Sequence, residues 1–209
     1  MESYITVKDV GEYRFEDRKS VFWGYAVPIN CENDALEFIA AVKKKYSDAR
    51  HWVYAYVLRE NSTMRYTDDG EPQGTAGMPV LDIIRKNGCT NTLIIVVRYF
   101  GGVLLGTGGL VHAYTECALG ALKAATVIRY DVYSSISLKL SYSDYQKVSS
   151  IFNEYCFQTE NTEYSDCVFV FGSLLKENCD IFCSKLKEAT SGRVEFHILS
   201  EKFDFRENI

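Results

Sequence analysis

Apolar and polar positions alternate through Glu12-Tyr13-Arg14-Phe15, and Val21–Val27 is rich in β-branched and aromatic residues, so Tyr4–Ile29 reads as strands. The spacing then lengthens. Leu36, Ile39, Ala40 and Val42 recur at three and four residues, which predicts a helix entered after Asn30 or Asn33. Its last turns carry Lys43-Lys44-Lys45, where cations suit the helix dipole. Trp52–Leu58 is apolar on both parities and predicts a strand, with Thr63–Tyr66 as its pairing partner. Thr75 is the expected N-cap of a helix through Pro79, Val80, Ile83 and Ile84 that ends near Lys86-Asn87-Gly88. Asn91–Tyr99 is a continuous apolar run, as expected of a strand buried on both faces. Leu110, Tyr114, Cys117 and Ala121 form one stripe of a further helix, and Val127–Tyr130 reads as a closing strand.

The remainder has its own rhythm. Ser135–Leu140 alternates as a strand, and Ser143 is placed to cap a helix through Tyr145, Val148, Ile151 and Phe152. Strands follow at about Cys156–Tyr164 and Val168–Leu174. A helix over about Lys176–Ala189 is ended by Gly192, and Arg193–Leu199 is the last strand. This β-α-β-β-α-β order is the ferredoxin-like split βαβ pattern. The fold class is therefore α+β with two domains, residues 1–130 and 131–209, meeting near Arg129–Tyr133 without a long linker.

With 47% hydrophobic and 24% charged residues, the chain is unlike a disordered, collagen-like or disulfide-scaffold sequence. Its strongest apolar run, Leu93–Val97, is far shorter than a membrane helix. Met1-Glu2-Ser3-Tyr4 shows neither a basic nor an apolar leader region, so no signal peptide is expected. Seven cysteines, an odd number with no Cys-x-x-Cys pair, fit reduced thiols, most of them small core residues, in a cytoplasmic protein. Residues 1–130 carry 15 basic and 15 acidic side chains, while residues 131–209 carry 8 and 13 and hold the whole net charge of −5. The second part is thus ill suited to coat a phosphate backbone alone.

Candidate chemistry gathers at two glycine-rich turns that each open a helix. The first is Asp68-Asp69-Gly70-Glu71-Pro72-Gln73-Gly74-Thr75-Ala76-Gly77; the second follows Arg98-Tyr99 as Gly101-Gly102 and then Gly106-Thr107-Gly108-Gly109. Glycines remove Cβ atoms, and free backbone N–H groups at a helix start favour an anion. The competing reading is that the glycines only permit tight turns and close packing. Neither turn matches a phosphate loop or a Gly-x-Gly-x-x-Gly fingerprint. Asp68, Asp69 and Glu71 have the chemistry of Mg²⁺ ligands but equally of capping carboxylates. His112 and Glu116, four residues apart on a helix, have the spacing of a hydrogen-bonded pair. His51, His112 and His197 fall in no zinc spacing, and no Gly-x-Ser-x-Gly elbow is present. No metal or cofactor is expected, and whether the chain is an enzyme stays open.

The ordered motifs Asp68-Asp69-Gly70-Glu71-Pro72, Gly74-Thr75-Ala76-Gly77, Val97-Arg98-Tyr99-Phe100-Gly101-Gly102 and Leu105-Gly106-Thr107-Gly108-Gly109-Leu110-Val111-x-Ala113-Tyr114 resemble the bacterial YigZ branch of the IMPACT family. Lys19-Ser20-x-Phe22 and Asp48-Ala49-Arg50-His51 resemble it too. The resemblance implies a first domain like one ribosomal protein domain and domain IV of elongation factor G, and a second like that factor's last domain. It also implies a binding module linked to translation regulation, with RNA, ribosome or a translation-associated protein as partner; the alternative, read from the two turns themselves, is an enzyme or sensor for a small phosphorylated or other anionic ligand, a phosphate-like anion, bound between them, and no membrane partner is expected. A peptidase label attached to such proteins finds no metal-ligand set or triad here. Met78 stands where the branch commonly has lysine, and His112 where it commonly has lysine or arginine. Arg98 and the backbone amides are then the remaining anion partners.

Overall fold

A computed structural model describes residues 3–205, which divide into compact units over Tyr4–Arg129 and over Tyr130–Phe205, the latter with Ser3. The first unit contains β1 (Tyr4–Val7), β2 (Gly11–Asp17), β3 (Ser20–Pro28), α1 (Glu32–Lys45), β4 (His51–Val57), β5 (Met64–Thr67), α2 (Gly77–Lys86), β6 (Thr92–Tyr99) and α3 (Gly106–Ala124). Strands β2-β3-β6-β4-β5 form an antiparallel sheet in that order. Strand β6 lies at its centre, and each of its residues from Thr92 to Arg98 is buried. Side chains alternate between the two faces of a strand. Ile94 and Val96 therefore join Phe22, Val53, Ala55 and the buried stripes of α2 and α3 in one core. Leu93, Ile95 and Val97 join Tyr25, Tyr56 and the α1 residues Ala35, Ile39 and Val42 on the other side.

The next strand, β7 (Val127–Leu140), runs through the unit boundary, so the strands expected at Val127–Tyr130 and Ser135–Leu140 are one. Buried Val132, Tyr133 and Ser134 in succession break the alternation between them, which concealed the continuity. The second unit continues with α4 (Tyr142–Glu154), β8 (Gln158–Tyr164), β9 (Val168–Leu175), α5 (Cys179–Ala189) and β10 (Glu195–Phe205). Antiparallel pairing places β10 beside β7, β7 beside β9 and β9 beside β8, which is the split βαβ order. A core of Ile136, Leu138, Val148, Phe152, Val170, Phe182 and Leu186 fills the space between this sheet and its two helices.

Several caps differ from expectation. Cys31 caps α1, with the Asp34 carboxylate accepting from the amides of Asn30 and Cys31. Ser141, not Ser143, caps α4 by accepting from the Asp144 amide. The Asp144 carboxylate is itself held by Arg193 at 2.7 and 3.0 Å. Hydrogen bonds from Arg193 chiefly, then Ser141, keep its pKa well below the usual carboxylate range. Because the folded pKa is depressed, the stabilisation is present above the unfolded value of about 3.9 and is lost as pH falls through the lower folded value. Acid unfolding of the second unit should therefore lose part of its pH dependence below about pH 4 in Asp144→Asn. Amide NMR followed through an acid titration would check this; identical acid profiles for the two proteins would contradict it.

Candidate functional site

The strand register builds the site. On β6, Arg98 lies opposite Phe22 of β3 and His51 of β4, so the three side chains share one face of the sheet. That is the face covered by α2 and α3, and Arg98 follows Ile94 and Val96 along it. Arg98 is 5% exposed. Its guanidinium carbon lies 5.6 Å from the ring centroids of both Phe22 and Phe100.

Glu71 reaches this guanidinium from the first glycine-rich turn. Arg98 Nη1 donates to Glu71 Oε1 at 2.6 Å, and the Tyr114 hydroxyl, from the buried stripe of α3, donates to the same oxygen at 2.8 Å. Burial, with the Glu71 charge next in effect, pushes the Tyr114 phenol well above its ordinary pKa, so it remains a donor. His51 Nε2 lies 3.9 Å from Glu71 Oε1. Its Nδ1 is 2.8 Å from the Asp69 carbonyl. A carbonyl can only accept, so Nδ1 donates to it, and Nε2 faces the Glu71 carboxylate. Arg98 Nε, by contrast, is buried without a hydrogen-bond partner. Native proteins rarely leave such a donor unsatisfied.

Arg98, Glu71 and His51 border a cleft of about 410 Å³, lined also by Arg50, Gly70 and Pro72. Phe100, Leu104, Leu105, Gly106, Thr107 and Leu110 complete it. Both glycine-rich turns thus reach one cavity, but in unequal ways. The first turn is closed upon itself. Asp68 Oδ1 accepts from the amides of Ala76 and Gly77, and Oδ2 accepts from Gly74. A carboxylate of the chain therefore occupies the anion cradle that starts α2. Thr75 is not the N-cap: that residue is Ala76, and the Thr75 hydroxyl donates to the Pro72 carbonyl. Asp69 accepts from the Trp52 amide through Oδ2. The second turn is open. The N-cap of α3 is Leu105, which supplies no side-chain acceptor, and Gly106, Thr107 and Gly108 are exposed.

Other sequence candidates lie elsewhere. Tyr99 projects to the opposite face of the sheet, where its hydroxyl donates to Asp48. Gly101 serves packing, since a Cβ there would stand 2.0 Å from the Lys19 backbone, and Gly77 likewise abuts Thr67. Gly74 and Gly102 occupy left-handed turn positions. Gly109 packs near Leu105, and exposed His112 meets the edge of Phe15 with no hydrogen bond to Glu116. Asp68, Asp69, Gly74, Thr75, Gly77, Tyr99, Gly101, Gly102, Gly108, Gly109 and His112 therefore do not line the cleft. His51, Phe100 and Leu104, which line the cleft, and Tyr114, which donates to Glu71 beside it, were not among the sequence candidates. The His51–Arg98 pairing depends on strand register, and only the adjacent Asp48–His51 motif hinted at it. Among the described residues, no group of three or more His, Cys, Asp and Glu side chains is arranged to hold a metal ion. No helix among them is long and apolar enough to cross a membrane.

Removal of the Asp68 carboxylate would leave the amides of Ala76 and Gly77 at the start of α2, and of Gly74 in the turn before it, without acceptors. Asp68→Ala should cost about 1–2 kcal/mol of stability, as loss of a strong helix cap does. Urea unfolding measures it, and a cost near zero would show that water replaces the carboxylate without loss.

The Impact N-terminal domain model matches residues 18–122 and a domain of unknown function, DUF1949, matches residues 138–193. The IMPACT family member YvyE of Bacillus subtilis is 32% identical, over 92% of this chain and 89% of its own. The chain belongs to the IMPACT family. The YigZ member of Escherichia coli is 31% identical over 80% of this chain and 83% of its own, and a Haemophilus influenzae member is 30% identical over 95% and 98%. A crystal structure described as a hypothetical protein covers 96% of this chain and 98% of its own, with TM-score 0.60 and 28% identity. In this IMPACT-family chain the cleft residues from Arg50 to Leu110 all fall within the span matched by the N-terminal domain model.

Proposed function

We propose that this IMPACT-family chain is a binding module linked to translation regulation, and that its first unit receives an anionic group, phosphate or carboxylate, in the cleft beside Arg98. The partner in this reading is RNA, the ribosome or a translation-associated protein. One observation carries the anion part: Arg98 is buried, its Nε lacks a partner, and it borders a cleft into which the uncapped start of α3 opens. Glu71 engages the guanidinium through Nη1 only. With a net charge of −5, contact with an RNA backbone is weak and sensitive to salt. A second reading, an enzyme or sensor for a small phosphorylated molecule, is favoured by His51, which lines the same cleft with its ring fixed by the Asp69 carbonyl.

The test is titration with inorganic phosphate at constant ionic strength, followed by amide NMR. Shifts confined to Arg50–His51, Gly70–Pro72, Phe100 and Leu104–Leu110 are expected, with saturation. No saturable shift in those residues would overturn the anion site. RNA retarded on a gel at about 50 mM salt would support RNA as the partner; no retardation, with the phosphate shifts present, would favour a protein or small-molecule partner.

A further inference from the structure

One end of the first sheet brings together a loop and a hairpin turn. The loop between β6 and α3 exposes Phe100, Val103 and Leu104, at 42%, 43% and 81%. Leu104 is the most exposed large apolar side chain among the described residues. Single exposed apolar side chains are ordinary on a protein surface. Three within five residues form a patch whose contact with water is unfavourable until something covers it. The loop is also held in place. Gly101 lies so close to the β2–β3 turn that a Cβ would stand 2.0 Å from the Lys19 backbone, and its amide donates to Ser20 Oγ at 3.2 Å.

Cations flank this patch. Arg18 and Lys19 are the two residues of the β2–β3 turn, which the loop touches through Gly101. Arg50 precedes β4, donates its amide to the Arg98 carbonyl at 3.3 Å, and lines the cleft together with Phe100 and Leu104. All three cations are exposed, and among the described residues no acidic side chain is paired with any of them. The turn gives a separate indication. Arg18 and Lys19 both have left-handed φ, 45° and 67°. A two-residue hairpin with such angles favours Asn-Gly and disfavours residues with long side chains. The local backbone therefore does not select these two residues; what they supply is positive charge beside the apolar loop.

We infer that this end of the first unit docks an acidic segment of a partner protein: an apolar side chain of that segment covers Phe100, Val103 and Leu104, and its carboxylates face Arg18, Lys19 and Arg50. This rests on the binding-module reading above, narrows it to a protein partner, and needs no anion at the start of α3. An apolar centre with a polar, charged rim is the usual anatomy of a protein–protein contact, and unpaired cations complement an acidic partner. RNA fits less well. Val103 and Leu104 offer no ring for a base to stack on, and the Phe100 centroid already lies 5.6 Å from the Arg98 guanidinium.

Selection of random phage-displayed dodecapeptides on the full chain tests the inference, with the recovered peptides synthesised and titrated by fluorescence anisotropy. The recovered sequences are expected to carry Leu, Ile or Phe beside two or more Asp or Glu. Leu104→Ser, at a position too exposed to threaten folding, should weaken their binding about tenfold or more. The double variant Arg18→Asn with Lys19→Gly should weaken it about threefold or more at low salt and flatten its salt dependence. The same double variant should raise the melting temperature, because Asn-Gly suits the turn. Recovery of no peptide, or of basic or uncharged ones, would overturn the inference, as would affinities that both variants leave unchanged. Uridine oligonucleotides and phosphatidylglycerol vesicles complete the set. Binding of either that is weakened by Leu104→Ser, where no acidic peptide binds, would replace the protein partner by RNA or by a lipid surface. The phosphate titration reads the anion site separately, so a failure here leaves that result standing.

Discussion

Arg98→Met is expected to destabilise the first unit by about 3–5 kcal/mol, the usual consequence of stranding one member of a buried ion pair. The Glu71 side chain is 4% exposed and its Oε1 accepts from Arg98 at 2.6 Å. Without the guanidinium, that carboxylate keeps only the Tyr114 hydroxyl as a close donor, with His51 at 3.9 Å. Removal of the unpartnered Arg98 Nε returns about 1–3 kcal/mol of desolvation cost, which places the result toward the lower end of the range. The pair with Glu71→Gln sharpens the test. Glutamine still offers Tyr114 an acceptor but carries no charge, so the double variant should be more stable than Arg98→Met alone, with a coupling energy of about 1–3 kcal/mol in the double-mutant cycle. Urea unfolding of the four proteins measures this. A loss below about 1 kcal/mol for Arg98→Met would show that water reaches Glu71 freely.

Thr107→Asp is expected to abolish phosphate binding, with a loss of at least about tenfold in affinity, while the melting temperature stays level or rises. Thr107 is exposed in the first turn of α3, where an acidic side chain gains about 0.3–1 kcal/mol from the helix dipole. The same carboxylate brings its charge to the place proposed for the ligand. Opposite signs for stability and binding separate this outcome from ordinary damage to the fold. Undiminished phosphate affinity in a folded Thr107→Asp protein would move the anion away from α3.

The framework was legible where one physical signal dominated. Leu93–Val97 reads as a strand covered on both sides because five successive apolar residues leave no face for water. The α3 stripe was visible because Leu110, Tyr114, Cys117 and Ala121 keep helical spacing, and all four are buried. Family membership was legible from the ordered motifs around both turns. The site was less so. Arg98 stood out as a charge beside glycines with Glu71 or Asp69 as its partner, but the choice of Glu71 requires the first turn to fold back over the end of β6. The opposition of His51 and Arg98 follows from strand register, which a single strand's pattern does not determine. A capping role was one reading of the Asp68 carboxylate, but its partners could not be named, because it reaches eight and nine residues forward, beyond any local capping pattern. Two turns of similar composition therefore differ in the one property that matters: a side chain fills one and none fills the other.

That difference separates how the two turns meet the surrounding solution. Asp68 is a covalently tethered competitor, and short tethers hold a group at effective concentrations of millimolar order or higher. Buffer anions below that level are outcompeted at the start of α2, so changes in ionic composition pass it by. The start of α3 has no resident competitor, so in the proposed reading its occupancy follows whatever the surrounding solution supplies.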